Sequence, residues 1–255
     1  MPKFFVEKNN IGEKNIEIIG DDANHIATVL RSKVDEEIIV CDGYGTDYRC
    51  RLIGINKKQV LCEILEKYAN ENEPELKITL YQGLPKGDKM ELVIQKCIEI
   101  GVDRIVPVIT ENTVVKIGDK ADKKNIRWNK IAESAAKQCG RGKIPHVEKI
   151  MTFSEAVEDA KELEKAIIPY EKETKTSIKK FAKESKVKSI GVFIGPEGGF
   201  SDSEIELCQK NNITSVSLGK RILRTETAGL VTSVILLYEL EGLDWFTLTT
   251  HQQQK

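Results

Sequence analysis

The chain has 255 residues, 40% of them apolar and 31% charged, with a net charge of −1. That balance is ordinary for one large or two modest globular domains, and it excludes disordered and collagen-like architectures. The longest mostly apolar stretch, 229–240, falls short of the roughly 20 residues a bilayer span requires. No membrane partner is expected. Glu7 arrives too early for the apolar region of a signal peptide, so the expected location is the cytoplasm. Six cysteines (Cys41, Cys50, Cys62, Cys97, Cys139, Cys208) form no C-x-x-C pair and read as buried thiols. With three histidines and no H-E-x-x-H, no metal is expected.

Residues 1–70 read as mostly β. Apolar or alternating runs at 16–19, 37–41, 48–55 and 59–65 are separated by turn chemistry such as Asp42-Gly43-Tyr44-Gly45. One helix interrupts them, capped by Asp21 or Asp22, with Ile26, Val29 and Leu30 as its apolar stripe around His25. Short strands with one helix predict a small barrel. The polar stretch 67–75 has no apolar period, and Pro74 stands where a new strand begins, so a domain boundary is placed at residue 70.

From 71 to 255 the period changes. Strands at 76–82, 104–109, 166–168, 189–194 and 215–218 alternate with helices at 88–100, 125–139, 154–163, 176–183, 202–211 and 226–240. Ser201 and Glu204 have the spacing of a capping box. Such alternation predicts a parallel α/β sheet covered on both faces. A polar tail, 249–255, closes the chain. Between Lys116 and Lys149, ten basic residues face four acids; that excess suits either a phosphate backbone or a solvated helix face.

Ligands of open α/β sheets bind beyond the carboxyl ends of the strands. Two loops there are unusual. Ile194-Gly195-Pro196-Glu197-Gly198-Gly199-Phe200-Ser201 follows an apolar strand and precedes a capped helix. Its glycines permit a sharp turn and a close approach to a ligand, but it is neither a Walker loop nor G-x-G-x-x-G. Ser217-Leu218-Gly219-Lys220-Arg221-Ile222-Leu223-Arg224-Thr225-Glu226-Thr227-Ala228 again joins a strand to a helix. Ile222 and Leu223 should be buried, in core or against an apolar ligand, and Thr225 is placed to cap the helix. Either loop alone is compatible with a plain strand-to-helix turn.

Together they resemble the SPOUT methyltransferases, and within them the RsmE type, which methylates N3 of a uridine in small-subunit (16S) ribosomal RNA. The likeness extends to Gln82-Gly83-Leu84-Pro85-Lys86-Gly87-Asp88-Lys89-Met90-Glu91, to Gln95-Lys96-x-x-Glu99-x-Gly101-Val102, and to Arg127-Trp128 leading into Gln138-x-Gly140-Arg141-x-x-Ile144-Pro145. His25-x-x-x-Val29-Leu30-Arg31 belongs to it as well, so it runs through nearly the whole chain in order. Lys3 stands where that family usually carries arginine, and Cys139 where it carries serine.

The resemblance implies a PUA-like barrel at 1–70 that holds RNA and a SPOUT domain at 71–255 with a deep C-terminal trefoil knot. It implies a homodimer, S-adenosylmethionine as methyl donor and 16S rRNA as partner. Cofactor contacts are expected from Ile168, Gly195, Pro196, Glu197, Gly198, Leu218, Gly219, Ile222, Leu223, Arg224 and Thr227. RNA contacts are expected from Lys3, His25, Arg31, Lys86, Gln138 and Arg141.

Methyl transfer from a sulfonium needs no metal and no covalent intermediate; the protein's task is alignment. Uridine N3 must lose a proton, so a base or a stabilising cation would lower the barrier. Glu197 is the candidate base; Arg141 and Arg224 are the candidate cations. Two alternatives stay open: a SPOUT ribose 2′-O-methyltransferase, and a non-catalytic ribosome assembly factor.

Overall fold

A computed structural model describes residues 1–115, 118 and 121–241; Lys116, Lys120 and the tail 249–255 lie outside the described residues. The chain divides into two compact units, one formed by 1–73 with 133–144, the other by 74–132 with 145 onward. The division falls inside the polar stretch 67–75, a few residues beyond position 70. Segment 133–144, read from its helical period as part of the larger domain, belongs with the first unit.

The first unit is a curled five-stranded sheet in the order β1 (Lys3–Phe5), β3 (Glu37–Cys41), β4 (Thr46–Ile55), β5 (Gln59–Ala69), β2 (Asn15–Ile19). β1 runs parallel to β3 and the other pairs are antiparallel. Irregularities in the long β4–β5 pairing, at Arg49/Cys50 and Leu52/Gly54, bend the sheet around its core. Alternation supplies that core: Ile16 and Ile18, Ile38 and Val40, Cys50 and Leu52, Val60 and Cys62 all point inward.

The expected helix exists, with a different winding. α1 (Gly20–Asn24) runs into a π-helical turn, His25–Leu30, which ends at Arg31 in the left-handed region (φ 53°). Wider i→i+5 winding breaks the 3.6-residue stripe. Ile26 is buried, whereas Val29 and Leu30 face solvent. Asp21 and Asp22 sit within the first turn of α1 rather than capping it.

The second unit is a parallel sheet ordered β12 (Thr214–Val216), β10 (Lys165–Pro169), β11 (Ser189–Ile194), β6 (Lys77–Gly83), β7 (Arg104–Ile109), β8 (His146–Val147), with β9 (Met151–Thr152) also pairing β7. Its helices are α2 (Lys89–Glu99), α4 (Phe153–Asp159), α5 (Ile178–Lys183), α6 (Asp202–Lys210) and α7 (Thr225–Glu241); α3 (Ala121–Cys139) begins here. On one face, Tyr81 and Phe193 stack at 4.4 Å and pack with Phe153, Val157 and Ile205 from α4 and α6. On the other, α7 lies along β6 and β11 between α2 and α5. Both faces are covered, as the β/α alternation requires. Ser201 and Glu204 form a reciprocal capping box at α6.

Candidate functional site

The carboxyl ends of β10 and β12 open onto a cleft of about 470 Å³. Its walls come from two loops. Pro169, Tyr170, Glu173 and Thr174 form one side; Ser217, Leu218, Gly219, Ile222 and Leu223 form the other, with Ala228 of α7 at the base. The loops are stitched by main-chain bonds: Tyr170 N to Val216 O (2.9 Å), Ser217 N to Thr176 O (2.8 Å) and Ile178 N to Ser217 O (3.1 Å). Gly219 holds φ 111°, a conformation that a side chain would strain, so the turn beneath the cleft depends on glycine. The amides of Lys175 and Thr176 outweigh a slight burial and hold the Glu173 carboxyl below the ordinary range at the cleft wall.

The lip of the cleft carries Ile222. It is 87% exposed, neither in core nor covered, while Leu223 is half-buried in the cleft wall. An exposed aliphatic side chain at the lip of a cleft adds apolar surface that a ligand could bury.

The glycine loop lies beside this cleft rather than lining it. Gly199 N donates to Pro196 O (3.0 Å), closing a turn with Gly199 at φ 66°. A Cβ on Gly195 would come within 3.1 Å of the Gly199 backbone, so the loop is folded back on itself there. Asn112 Nδ2 donates to the carbonyls of Gly198 (3.0 Å) and Gly199 (3.3 Å).

Two residues that sequence reasoning did not place in the site connect the loops. Gln82, fully buried at the end of β6, donates Nε2–H to Thr225 Oγ1 (2.8 Å), which in turn donates to the carbonyl of Gly195 (2.6 Å). Thr225 therefore spends its hydroxyl on the glycine loop and not on an N-cap of α7. Gln82 stood in the sequence within the Gln-Gly-Leu-Pro-Lys-Gly run, but nothing local signals a bond spanning that distance.

Of the expected cofactor residues, Leu218, Gly219, Ile222 and Leu223 line the cleft. Ile168 does not: its side chain is fully buried in the core cluster, and Pro169 and Tyr170 after it form the wall. Gly195, Pro196, Glu197 and Gly198 sit in the adjoining loop. Arg224 is exposed and its carbonyl accepts from the amides of Thr227 and Ala228 in the first turn of α7.

Glu197, expected as a base, is tied down. Its carboxylate meets Lys89 Nζ at 2.7 Å and the Lys86 amide at 3.2 Å. Burial would raise the carboxyl, but the Lys89 ammonium and these amide donors outweigh it and hold the group below the ordinary glutamate range. That makes it a weaker base than an ordinary carboxylate. Lys86 itself is exposed.

Lys3, His25, Arg31, Gln138 and Arg141 belong to the first unit. His25, Arg31 and Gln138 are exposed there. Arg141, expected as an RNA or anion contact, is 3% exposed, and its guanidinium grips Glu73 through Nη2–Oε2 (2.8 Å) and Nε–Oε1 (3.2 Å). Lys3 is likewise drawn inward, with Nζ 2.8 Å from Asp47 and 3.2 Å from the Gly140 carbonyl. Both cations hold the unit together instead of lying open on its surface.

The thiols of Cys41, Cys50, Cys62, Cys97 and Cys208 are buried, and burial pushes each up to about 12, which leaves them unreactive near neutrality. Among the described residues no group of three or more His, Cys, Asp or Glu is placed to hold a metal, and no helix is long and apolar enough to cross a membrane.

Comparison with known proteins matches residues 72–237 to an RNA methyltransferase domain and 18–65 to an RNA methyltransferase PUA domain. The chain is 36% identical to ribosomal RNA small subunit methyltransferase E of Bacillus subtilis (strain 168), over 95% of this chain and 98% of that one. It is 34% identical to the protein of the same name from Mesomycoplasma hyopneumoniae (strain 232), over 90% and 96%. The crystal structure of a ribosomal RNA small subunit methyltransferase E from Neisseria gonorrhoeae, bound to S-adenosyl methionine, superposes with a TM-score of 0.80 at 31% identity, covering 94% of this chain and 98% of that chain.

Proposed function

Because this chain belongs to the RNA methyltransferase family, catalytic and PUA domains alike, we propose that it methylates N3 of a uridine in 16S ribosomal RNA, with S-adenosylmethionine as donor. The chain is an enzyme, a methyltransferase acting on ribosomal RNA. The observation that carries the reading is the cleft at the strand ends, walled by the backbone of 217–223 and fringed by an uncovered Ile222.

S-adenosylmethionine suits that cleft chemically. Leu218, Ile222 and Leu223 offer apolar surface and main-chain groups for an adenine, and the anionic Glu173 offers charge for a cationic ligand. When bound, the cofactor supplies a methyl group already activated by its sulfonium. The protein's own work is to hold the acceptor and ease loss of the N3 proton. Arg224, exposed next to the cleft-lining Leu223, is our candidate for the cation that stabilises a uridine anion; the ion-paired Glu197 is the poorer candidate. The same reading takes 195–201 and 217–225 as loops of a trefoil knot.

A second copy of the chain completes the enzyme. α7 is apolar on nearly every side, yet Val234 and Tyr238 remain 39% and 65% exposed, and Ile222, just before it, 87%. A helix apolar all round is one that expects cover on all sides, which supports a homodimer. An rRNA substrate supports a cytoplasmic location.

The test is to incubate the purified protein with S-adenosylmethionine and small subunits or 16S rRNA, then map the methyl group. N3 lies on the pairing edge, so its methylation blocks reverse transcription at the modified base and yields 3-methyluridine on nucleoside analysis. Methylated ribose would favour the 2′-O alternative. A folded protein that binds no cofactor would favour the assembly factor.

A further inference from the structure

An exposed aromatic ring stands on the first unit, on a turn that is fixed from several directions. Between β3 and β4, Asp42 Oδ1 accepts from the amides of Tyr44 (2.8 Å) and Thr46 (3.0 Å), while Gly43 and Gly45 take left-handed φ of 73° and 96°. The Gly45 amide donates to the Gly142 carbonyl (2.9 Å), and Tyr44 pairs with Lys143 in an isolated antiparallel bridge.

The segment it leans on is fixed in turn. The Gly140 carbonyl accepts from Lys3, Asn70 and Asn72. Glu73 receives the amides of Gly142 (2.9 Å) and Lys143 (3.2 Å) along with the Arg141 guanidinium. A Cβ on Gly142 would fall 2.6 Å from Asn70, so chain and side chain are in direct contact there. Buried charges thus anchor a surface turn.

What this turn presents outward is Tyr44, 70% exposed, with Lys8 Nζ 4.2 Å from its ring centroid and the exposed Lys143 as its bridge partner. A rigid aromatic ring with the Lys8 ammonium over one face, and an exposed lysine on the segment it pairs with, suits single-stranded nucleic acid: the other face stacks a base, and the ammonium groups meet phosphate. We propose that Tyr44 is a stacking platform for an unpaired base of the RNA substrate, with Lys8 and Lys143 as its phosphate contacts. The site rests on the RNA substrate inferred above, and not on the cofactor cleft. It also supplies surface cations where Lys3 and Arg141 do not.

The experiment measures fluorescence anisotropy of a labelled single-stranded oligouridylate of about 12 nucleotides. Tyr44→Ala and Tyr44→Leu should each weaken binding about tenfold, and Tyr44→Phe should stay within about twofold of the parent, since stacking needs the ring and not the hydroxyl. Thermal unfolding and calorimetric affinity for S-adenosylmethionine should be unchanged in all three. Parent-like binding by Tyr44→Leu would overturn the proposal, and so would an unmodified protein that binds the cofactor but not the oligonucleotide; the methyltransferase reading would survive both. Oligonucleotide binding that depends on the ring, in a protein with no cofactor affinity, would support the platform and count against the cleft.

Discussion

The hydroxyl of Thr225 donates to the carbonyl of Gly195 across 2.6 Å, joining the first residue of α7 to the first residue of the glycine loop. Gln82 stands behind it, donating to the same hydroxyl at 2.8 Å. One polar chain thus fixes the ends of β6 and β11 and the start of α7 relative to one another. Gly83, next along, lies so close to Pro196 that an added Cβ would sit 2.7 Å from its ring.

Thr225→Val keeps the shape and removes the hydroxyl, leaving Gln82 Nε2 and the Gly195 carbonyl short of a partner. A lost bond of this kind costs about 1–3 kcal/mol. Hydrogen exchange should quicken across 195–201 without ligand, and cofactor affinity should fall about tenfold. Thr225→Ser should restore both. Equal exchange in the Val and Ser variants would contradict the linkage.

A Cβ on Gly219 meets no neighbour within 4 Å, so the penalty of Gly219→Val starts from φ 111° and from a side chain at the cleft wall. Strain of this kind costs about 1–3 kcal/mol. The variant should fold yet lose the thermal stabilisation that cofactor gives the parent, about 2.7 kcal/mol at a hundredfold excess over Kd. A parent-like shift with cofactor would show that this turn is not part of the binding wall.

Arg141→Ala should act on stability first. It strands Glu73 in a protein interior, a change that costs about 3–5 kcal/mol for a broken buried pair. Urea unfolding should reveal a much lower midpoint, while cofactor affinity of the folded fraction stays near that of the parent. An unshifted midpoint would mean that the ion pair contributes little.

Glu73 also sets an acid limit. Burial would raise its carboxyl, but Arg141 and the amides of Lys143 and Gly142 overcome that and hold it below 4.5. A depressed carboxylate contributes stability that is complete above its unfolded value and disappears as pH falls through its folded value. Stability should therefore decline below about pH 4.5 in the parent, and less steeply in Glu73→Gln. Parallel pH profiles for the two proteins would exclude Glu73 as a source of the decline.

Tyr238→Arg combined with Val234→Asp places opposed charges on the exposed side of α7 without touching Leu236 or Leu237, which are fully buried. Light scattering should find a dimer for the parent and a monomer for the variant, with methylation lost. A variant that remains dimeric would move the interface elsewhere.

The β/α alternation after residue 76 was legible because each element is long enough to show its period. The three-residue β1 and two-residue β8 and β9 carry no period, and they exist because neighbouring edges offer partners. The strand-to-helix turns at 195–201 and 217–225 could be read from their order, since the conformation they need is local; their link to a cofactor came from the resemblance. Arg141 could not: its fate depends on Glu73, far away in sequence, and a charge run looks the same whether it faces phosphate or a buried carboxylate. Ile222 shows the converse: hydrophobicity says that a residue favours cover, but not whether that cover is core or ligand.

β6 is the first strand of its sheet to be made and one of the central ones, pairing β7 on one side and β11, from Lys77↔Ser189 to Gln82↔Ile194, on the other. During synthesis the edge of β6 that faces β11 has no partner until the chain has grown by more than a hundred residues. Closing it is a long-range step, slow by contact order, and an open apolar strand edge is exposed to wrong partners meanwhile. Tyr170, Leu218 and Ile222 are translated later than most of the sheet, so the nascent protein has no cleft until its scaffold is nearly finished. A truncation before β11 should therefore aggregate rather than fold to a smaller enzyme.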